Sequence, residues 1–196
     1  MTWSIVVQAG GESRRMGQNK ALMLFHGQPL IARIISRLAP AADEILVVAN
    51  QPDLFKFLGL PVFKDIIPHK GALGGLFTAL SYANNPVLAV VACDMPFINP
   101  NLLIAERNLL CDGNWDVVIP RSERGLEPLH SIYRRETCLP VVQQAIEQER
   151  LRMTSWFWEV KVRTMEPDEI SGIDPDLRSL NNINTPEEFR QAETFE

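Results

Sequence analysis

The run Val87-Leu88-Ala89-Val90-Val91-Ala92-Cys93 constrains this chain more than any other stretch. It is far shorter than the roughly 18 apolar residues of a bilayer-spanning helix, and no polar residue interrupts it at alternate positions. A strand of this kind must be covered on both faces, which is the condition of a parallel sheet with helices packed on each side. Shorter runs repeat the pattern at Ile5-Val6-Val7, Ile45-Leu46-Val47-Val48 and Pro61-Val62-Phe63. Between the first two, Leu30, Ile31, Ile34, Ile35 and Leu38 recur on one helical face, and a second apolar helix runs from about Leu73 to Ala83. This alternation predicts an α/β fold, a Rossmann-like three-layer sandwich around a mostly parallel sheet.

The second half predicts strands at Asp116-Val117-Val118-Ile119, from Leu129 to Tyr133, and at Val160, Val162 and Met165, with a helix near Leu139 to Ile146. Helix starts are marked at Asn99-Pro100 and at Thr185-Pro186-Glu187-Glu188, where Glu188 completes a capping box with Thr185. The order of strands in the sheet is not encoded in these patterns. A length of 196 residues suits a single domain, residues 1–196.

Charge narrows the partners. With 19 Lys and Arg against 24 Asp and Glu, the net charge of -5 leaves no global positive field to gather nucleic acid or anionic lipid. An anionic ligand must therefore be met by local cations. Cys93, Cys111 and Cys138 fit neither a disulfide framework nor a CxxC zinc site, and no basic stretch followed by an apolar core opens the chain. The expectation is a cytoplasmic protein with reduced thiols and no membrane or nucleic-acid partner.

Local cations concentrate in one place, the loop Ala9-Gly10-Gly11-Glu12-Ser13-Arg14-Arg15-Met16-Gly17-Gln18-Asn19-Lys20. Glycines after a strand let the backbone approach a ligand and turn its N–H groups outward, and Arg14, Arg15 and Lys20 supply charge. The spacing matches neither the Walker A loop nor G-x-G-x-x-G. A solvated basic turn has the same composition; the position directly after the first buried strand favours phosphate binding. Asp94 ends the apolar run above, at the strand edge where open α/β sheets bind ligands, and Mg²⁺ takes one or two carboxylates with phosphate oxygens. A turn or helix-capping aspartate is the alternative. Asp65 is a second, weaker strand-end carboxylate.

In Lys70-Gly71-Ala72-Leu73-Gly74-Gly75-Leu76, glycine within a helical pattern costs about 1 kcal/mol, so Gly74 and Gly75 point to close packing, near a ligand or not. His26, His69 and His130 lack metal-site or triad spacing. Trp156, Phe157 and Trp158 read as core packing or an interface anchor rather than a base-stacking platform.

Together, Ala9-Gly10-Gly11-x-Ser13-x-Arg15-Met16-Gly17-x-x-Lys20, Gly71-x-Leu73-Gly74-Gly75-Leu76, Cys93-Asp94-Met95-Pro96-Phe97 and Asn182-Ile183-Asn184-Thr185-Pro186-Glu187-Glu188 resemble, in order and nearly end to end, the molybdenum cofactor guanylyltransferase family. That resemblance implies the nucleotide-diphospho-sugar-transferase type of fold. It also implies GTP contacts at Gln8, Ala9, Gly10, Gly11, Lys20, Asp65, Gly74 and Asp94, with Mg²⁺ on Asp94 and catalytic roles for Lys20, Arg15 and Asp94. Pro128, Asn182 and Asn184 are implied to lie toward the pterin substrate. Two positions depart from the pattern: Gln8 stands where the family usually has an apolar residue such as Leu, and Asn19 replaces a frequent Asp.

The implied reaction transfers GMP from GTP to the terminal phosphate of molybdopterin or its molybdenum-loaded form, releasing pyrophosphate. Transient contact with cofactor-delivery or molybdoenzyme proteins is a further expectation. A molybdopterin cytidylyltransferase, a sugar-phosphate nucleotidylyltransferase and a non-catalytic nucleotide-binding module are the alternatives. A dehydrogenase is disfavoured, because Val48-Ala49-Asn50 places no acid at the end of the second strand for a ribose hydroxyl.

Overall fold

The computed structural model describes residues 1–10 and 19–195. In chain order its strands are β1 (Trp3–Gln8), β2 (Leu24–Phe25), β3 (Gln28–Pro29), β4 (Glu44–Val48), β5 (Val62–Phe63), β6 (Val87–Ala92), β7 (Val117–Ser122), β8 (Gly125–Leu126), β9 (His130–Arg134) and β10 (Val162–Met165). The α-helices are α1 (Leu30–Leu38), α2 (Gly71–Tyr82), α3 (Pro100–Asp112), α4 (Arg135–Glu147), α5 (Pro167–Ser171) and α6 (Pro186–Ala192). Among the described residues the main sheet runs β10-β7-β9-β6-β1-β4-β5, with β8 paired to β7. β2 and β3 form a separate hairpin.

β1 pairs parallel with both β4 and β6, and β4 with β5. The chain therefore leaves β1 in one direction, through β4 and β5, and returns to its other side as β6. At such a reversal the connecting segments diverge and open a crevice beyond the carboxyl ends of the strands. β9 is the antiparallel member, inserted between β6 and β7.

Apolar residues on both faces of the strands account for the two cores. Ile5 and Val7 of β1 pack with Leu30, Ile31, Ile34 and Leu38 of α1 and Leu103 and Leu110 of α3. Val6, one residue out of phase, packs on the opposite face with Leu73, Leu76 and Leu80 of α2 and Val142 and Ile146 of α4. Asn99 caps α3 by accepting from the Asn101 N–H, and Thr185 and Glu188 close the capping box of α6.

α4 starts at Arg135, earlier than its apolar pattern indicates, and carries Pro140 inside it. Its start is fixed by the Arg135 N–H on the Pro86 carbonyl and the Arg135 guanidinium on the Leu80 carbonyl. These contacts offset the one helical hydrogen bond the proline removes. Trp156 is fully buried beside Tyr133 and Phe157, whereas Trp158 is largely exposed. Among the described residues no helix is long and apolar enough to cross a membrane.

Candidate active site

A cleft of about 850 Å³ lies across the carboxyl ends of β6, β1, β4 and β5. Gln8, Ala9, Gly10, Lys20, Asp65, Asp94 and Asn184 all line it, from elements far apart in sequence. The sheet ladder continues to its floor, where the Cys93 N–H donates to the Gln8 carbonyl and the Ala9 N–H to the Val48 carbonyl. The first phosphate-loop residues and Asp94 thus leave adjacent strands on a shared rigid base.

Lys20 and Asp94 form the charged end. Asn19 Oδ1 accepts from the Ala21 N–H at 3.1 Å and caps the 3₁₀ turn at residues 20–22. The amide so performs the capping for which an aspartate carboxylate also serves. From this turn Lys20 Nζ donates to Asp94 Oδ2 at 3.0 Å and to Asn184 Oδ1 at 3.2 Å. The two charged side chains are only 11% and 17% exposed. Asp94 Oδ1 is buried and has no hydrogen-bond partner among the described residues. The Ile183 N–H donates to the Asp94 carbonyl, and the Glu188 carboxylate accepts from the Asn184 and Thr185 N–H groups. The α6 capping box therefore also holds Asn184 over Lys20.

The opposite end carries Asp65, half-buried, with its carboxyl pushed above the usual range by burial. Toward this end Gln8 Nε2 donates to the Ala72 carbonyl at 3.1 Å. The atom facing a carbonyl must be the donor, which fixes the orientation of the amide. Gly75 makes room for it: a Cβ there would lie 1.9 Å from Gln8 Nε2. Gly74 sits behind the cleft wall, buried in α2, where a Cβ would meet the Lys70 side chain at 2.9 Å and the Ile67 carbonyl at 3.2 Å. Both glycines serve close packing, and Gly74 does not line the cleft.

Pro128 and Asn182 also lie off the cleft lining. The Pro128 carbonyl accepts from the Tyr133 hydroxyl at 2.7 Å, while Asn182 Oδ1 is buried without a partner among the described residues. Gly11 and Arg15 fall outside the described residues. Sequence reading overlooked Asn50, whose Nδ2 donates to the Gly10 carbonyl at 2.6 Å and so holds the first residue of the loop. Its position at the end of β4 was the available signal. Lys64 and His69 are further lining residues. Cys93 lines the cleft too, but burial and the neighbouring Asp94 push its thiol up to about 12, so it stays protonated and is a poor nucleophile.

Among the described residues no cluster of three acidic, histidine or cysteine side chains could enclose a metal. One carboxylate with an unpartnered oxygen, beside space for phosphates, suits Mg²⁺, which keeps waters and draws its remaining ligands from substrate.

The sequence pattern of the MobA-like NTP transferase domain matches residues 5–157. The chain belongs to this family. A molybdenum cofactor guanylyltransferase of Desulfosudis oleivorans is 33% identical over 191 residues, 96% of this chain and 93% of that one. A probable molybdenum cofactor guanylyltransferase of Natranaerobius thermophilus is 32% identical over 98% of this chain and 95% of that one. The crystal structure of molybdopterin-guanine dinucleotide biosynthesis protein A from Archaeoglobus fulgidus superposes with a TM-score of 0.84 at 25% identity, covering 97% of each chain. The fold alone is shared with 4-diphosphocytidyl-2C-methyl-D-erythritol synthase of Anaerococcus prevotii, at a TM-score of 0.73 and 12% identity. The chain is a nucleotidyltransferase.

Proposed function

We propose that this protein transfers GMP from GTP to the terminal phosphate of molybdopterin, bare or molybdenum-loaded, forming molybdopterin guanine dinucleotide and pyrophosphate. The reading is carried by one observation: relatives matching nearly the whole chain at about one-third identity bear the name molybdenum cofactor guanylyltransferase. The Lys20–Asp94 end of the cleft supplies chemistry of the right kind. In the reaction an oxygen of the acceptor phosphate bonds to the α-phosphorus of GTP, and the bond from that phosphorus to the bridging oxygen breaks. The leaving pyrophosphate takes the electron pair.

A phosphate monoester has its second pKa near about 6, so the acceptor is already ionised at neutral pH and no general base is needed. The barrier lies in bringing anions together. Asp94 is the residue that would hold Mg²⁺, which when bound neutralises phosphate charge and stabilises the leaving group. Lys20 supplies a compact cation to the triphosphate, and Arg15 adds a second. Gly10, held by Asn50, starts the loop whose N–H groups bind phosphate. With the phosphates at Asp94, the nucleoside extends over β1 and β4 toward Asp65. Asn184, shared with Lys20, lies where donor and acceptor phosphates meet.

The test is pyrophosphate release with molybdopterin and each nucleoside triphosphate in turn. GTP should exceed CTP by at least roughly tenfold in kcat/KM, the equivalent of about 1.4 kcal/mol. Equal or better use of CTP replaces the guanylyl reading with a cytidylyl one, and no turnover with any triphosphate supports a binding module.

A further inference from the structure

Lys20 and Asp94 would have separate tasks in this reaction, one toward phosphate and one toward the metal, yet in the structure they are engaged with each other. The ammonium lies 3.0 Å from Asp94 Oδ2, with both side chains largely buried at the end of the cleft. The other carboxylate oxygen is buried and unpartnered among the described residues. Asn184 Oδ1, 3.2 Å from Nζ, helps hold the ammonium there. Asn184 is itself tied down by the Glu188 carboxylate and by the neighbouring Ile183 N–H on the Asp94 carbonyl.

A divalent cation approaching this carboxylate meets a positive charge already seated on it. With both side chains largely buried, that repulsion is less screened than at an exposed surface. One carboxylate is also a meagre ligand set for an ion that sheds water reluctantly. We infer that Lys20 and the divalent cation compete for Asp94, and that a polyphosphate resolves the competition by drawing the ammonium onto its own oxygens. The inference rests on the assignment of Asp94 to the metal and Lys20 to phosphate. Metal and polyphosphate therefore bind with positive coupling, and by linkage each strengthens the other equally.

The competition predicts a gain from a loss. Removing the phosphate-binding cation should tighten metal binding in the absence of nucleotide. Mn²⁺ is the probe, its free concentration read by electron paramagnetic resonance and its protein-bound form by water-proton relaxation. Without nucleotide, Lys20→Met should bind Mn²⁺ at least about tenfold more tightly than wild type, as expected when the positive charge seated on the same carboxylate is removed. Lys20→Met/Asp94→Asn should lose the gain, and Lys20→Arg, which keeps the charge, should stay as weak as wild type. Lys20→Met no tighter than wild type, or a gain that survives Asp94→Asn, overturns the inference.

A second measurement compares wild type with Lys20→Met at matched free Mn²⁺. Inorganic tripolyphosphate, which carries no base, should tighten Mn²⁺ binding by a larger factor in wild type than in Lys20→Met, where no ammonium is left to draw away; equal factors overturn the inference. Such coupling without any preference for GTP would displace the guanylyl reading while supporting the competition at Asp94.

Discussion

Lys20–Asp94 and Glu106–His130 are acid–base contacts of similar length, 3.0 and 3.2 Å, and both adjoin the end of β6. His130 stands opposite Val91 in the sheet, and Glu106 reaches it from α3, which follows the turn after Asp94. The first pair opens on a cleft of about 850 Å³ and shares its ammonium with Asn184. The second is fully enclosed, and Glu106 Oε2 and His130 Nε2 have no partners among the described residues. A cation in the cleft can exchange its carboxylate for an incoming phosphate. The enclosed pair can exchange with nothing, so it fixes the position of α3 against β9 and, through Leu129, one wall of the cleft. Access to solvent, more than pairing distance, separates a functional contact from an architectural one.

The largest effect should come from breaking the enclosed pair on one side. Glu106→Leu or His130→Phe alone leaves a buried, uncompensated polar group and should cost about 3–5 kcal/mol by denaturant unfolding. The double variant should be far milder, because it leaves nothing unpaired. If each single change were as harmless as the double, the two residues would not be acting as a pair. The pH response provides a separate check. Burial lowers His130, but the Glu106 charge, their hydrogen bond and Glu127 together outweigh it and the net shift is upward. Burial raises Glu106, with His130 opposing. Groups that hold protons more tightly when folded give stability that is present below the unfolded value and is lost as pH rises through the folded one. Above the ordinary histidine value of 6.5, wild type should therefore lose stability relative to the Glu106→Leu/His130→Phe variant. Parallel melting curves across that range would show that the pair carries no proton linkage.

The cleft pair should behave in the opposite way, with chemistry lost and folding largely kept. Asp94→Asn retains the shape and removes the charge, and turnover should fall at least roughly 100-fold, as for deletion of one preorganised electrostatic group. Its melting temperature should move much less than that of either core single variant. Near-normal turnover at limiting Mg²⁺ would remove Asp94 from the metal site. Lys20→Ala should weaken GTP by roughly 10-fold or more while leaving guanosine nearly unaffected, because a charge-assisted contact needs the phosphates. Titration calorimetry with both ligands decides this, and equal weakening would make Lys20 a structural residue.

The two pairs also differ in how visible they were from sequence. Asp94 was legible because a carboxylate ending the run Val87–Ala92 is costly unless it faces a ligand site, and Lys20 because it closes a glycine-rich loop after β1. Glu106–His130 was hidden: α3 is marked in the sequence only by its Asn99-Pro100 start, and nothing in the spacing of residues 106 and 130 says that they meet. The parallel strands β1, β4 and β6 announced themselves by apolar residues on both faces, and the caps at Asn99 and Thr185 marked real helix starts. The direction of β9 was not readable, because an apolar pattern is the same read either way along the sheet. Gly74 was ambiguous for a related reason, packing being the reading its helical position favoured and a nucleotide contact what the resemblance implied. A packing glycine and a ligand-facing glycine look identical until the neighbouring Lys70 side chain and Ile67 carbonyl are seen.

The contrast between open and filled surroundings extends to two glycines of the site, where the smallest effect is expected. A Cβ on Gly75 would collide with Gln8 Nε2, whereas one on Gly10 would meet the Asn50 side chain at 3.7 Å, an ordinary contact. Gly10→Ala should therefore fold and melt much like wild type, while Gly75→Ala must displace Gln8 and should lose about 1–3 kcal/mol, typical of overpacking. What Gly10→Ala alters is the volume left to the nucleotide. Only shape and hydrogen bonding distinguish GTP from CTP, since their triphosphates are identical. A methyl group beside the loop should hinder the larger purine more than the pyrimidine, narrowing the ratio of GTP to CTP kcat/KM by roughly two- to threefold, a few tenths of a kcal/mol. Competition kinetics with both triphosphates in one reaction resolve a change of that size. An unchanged ratio in a protein that melts like wild type would move the base away from Gly10, toward Asp65 and the start of α2.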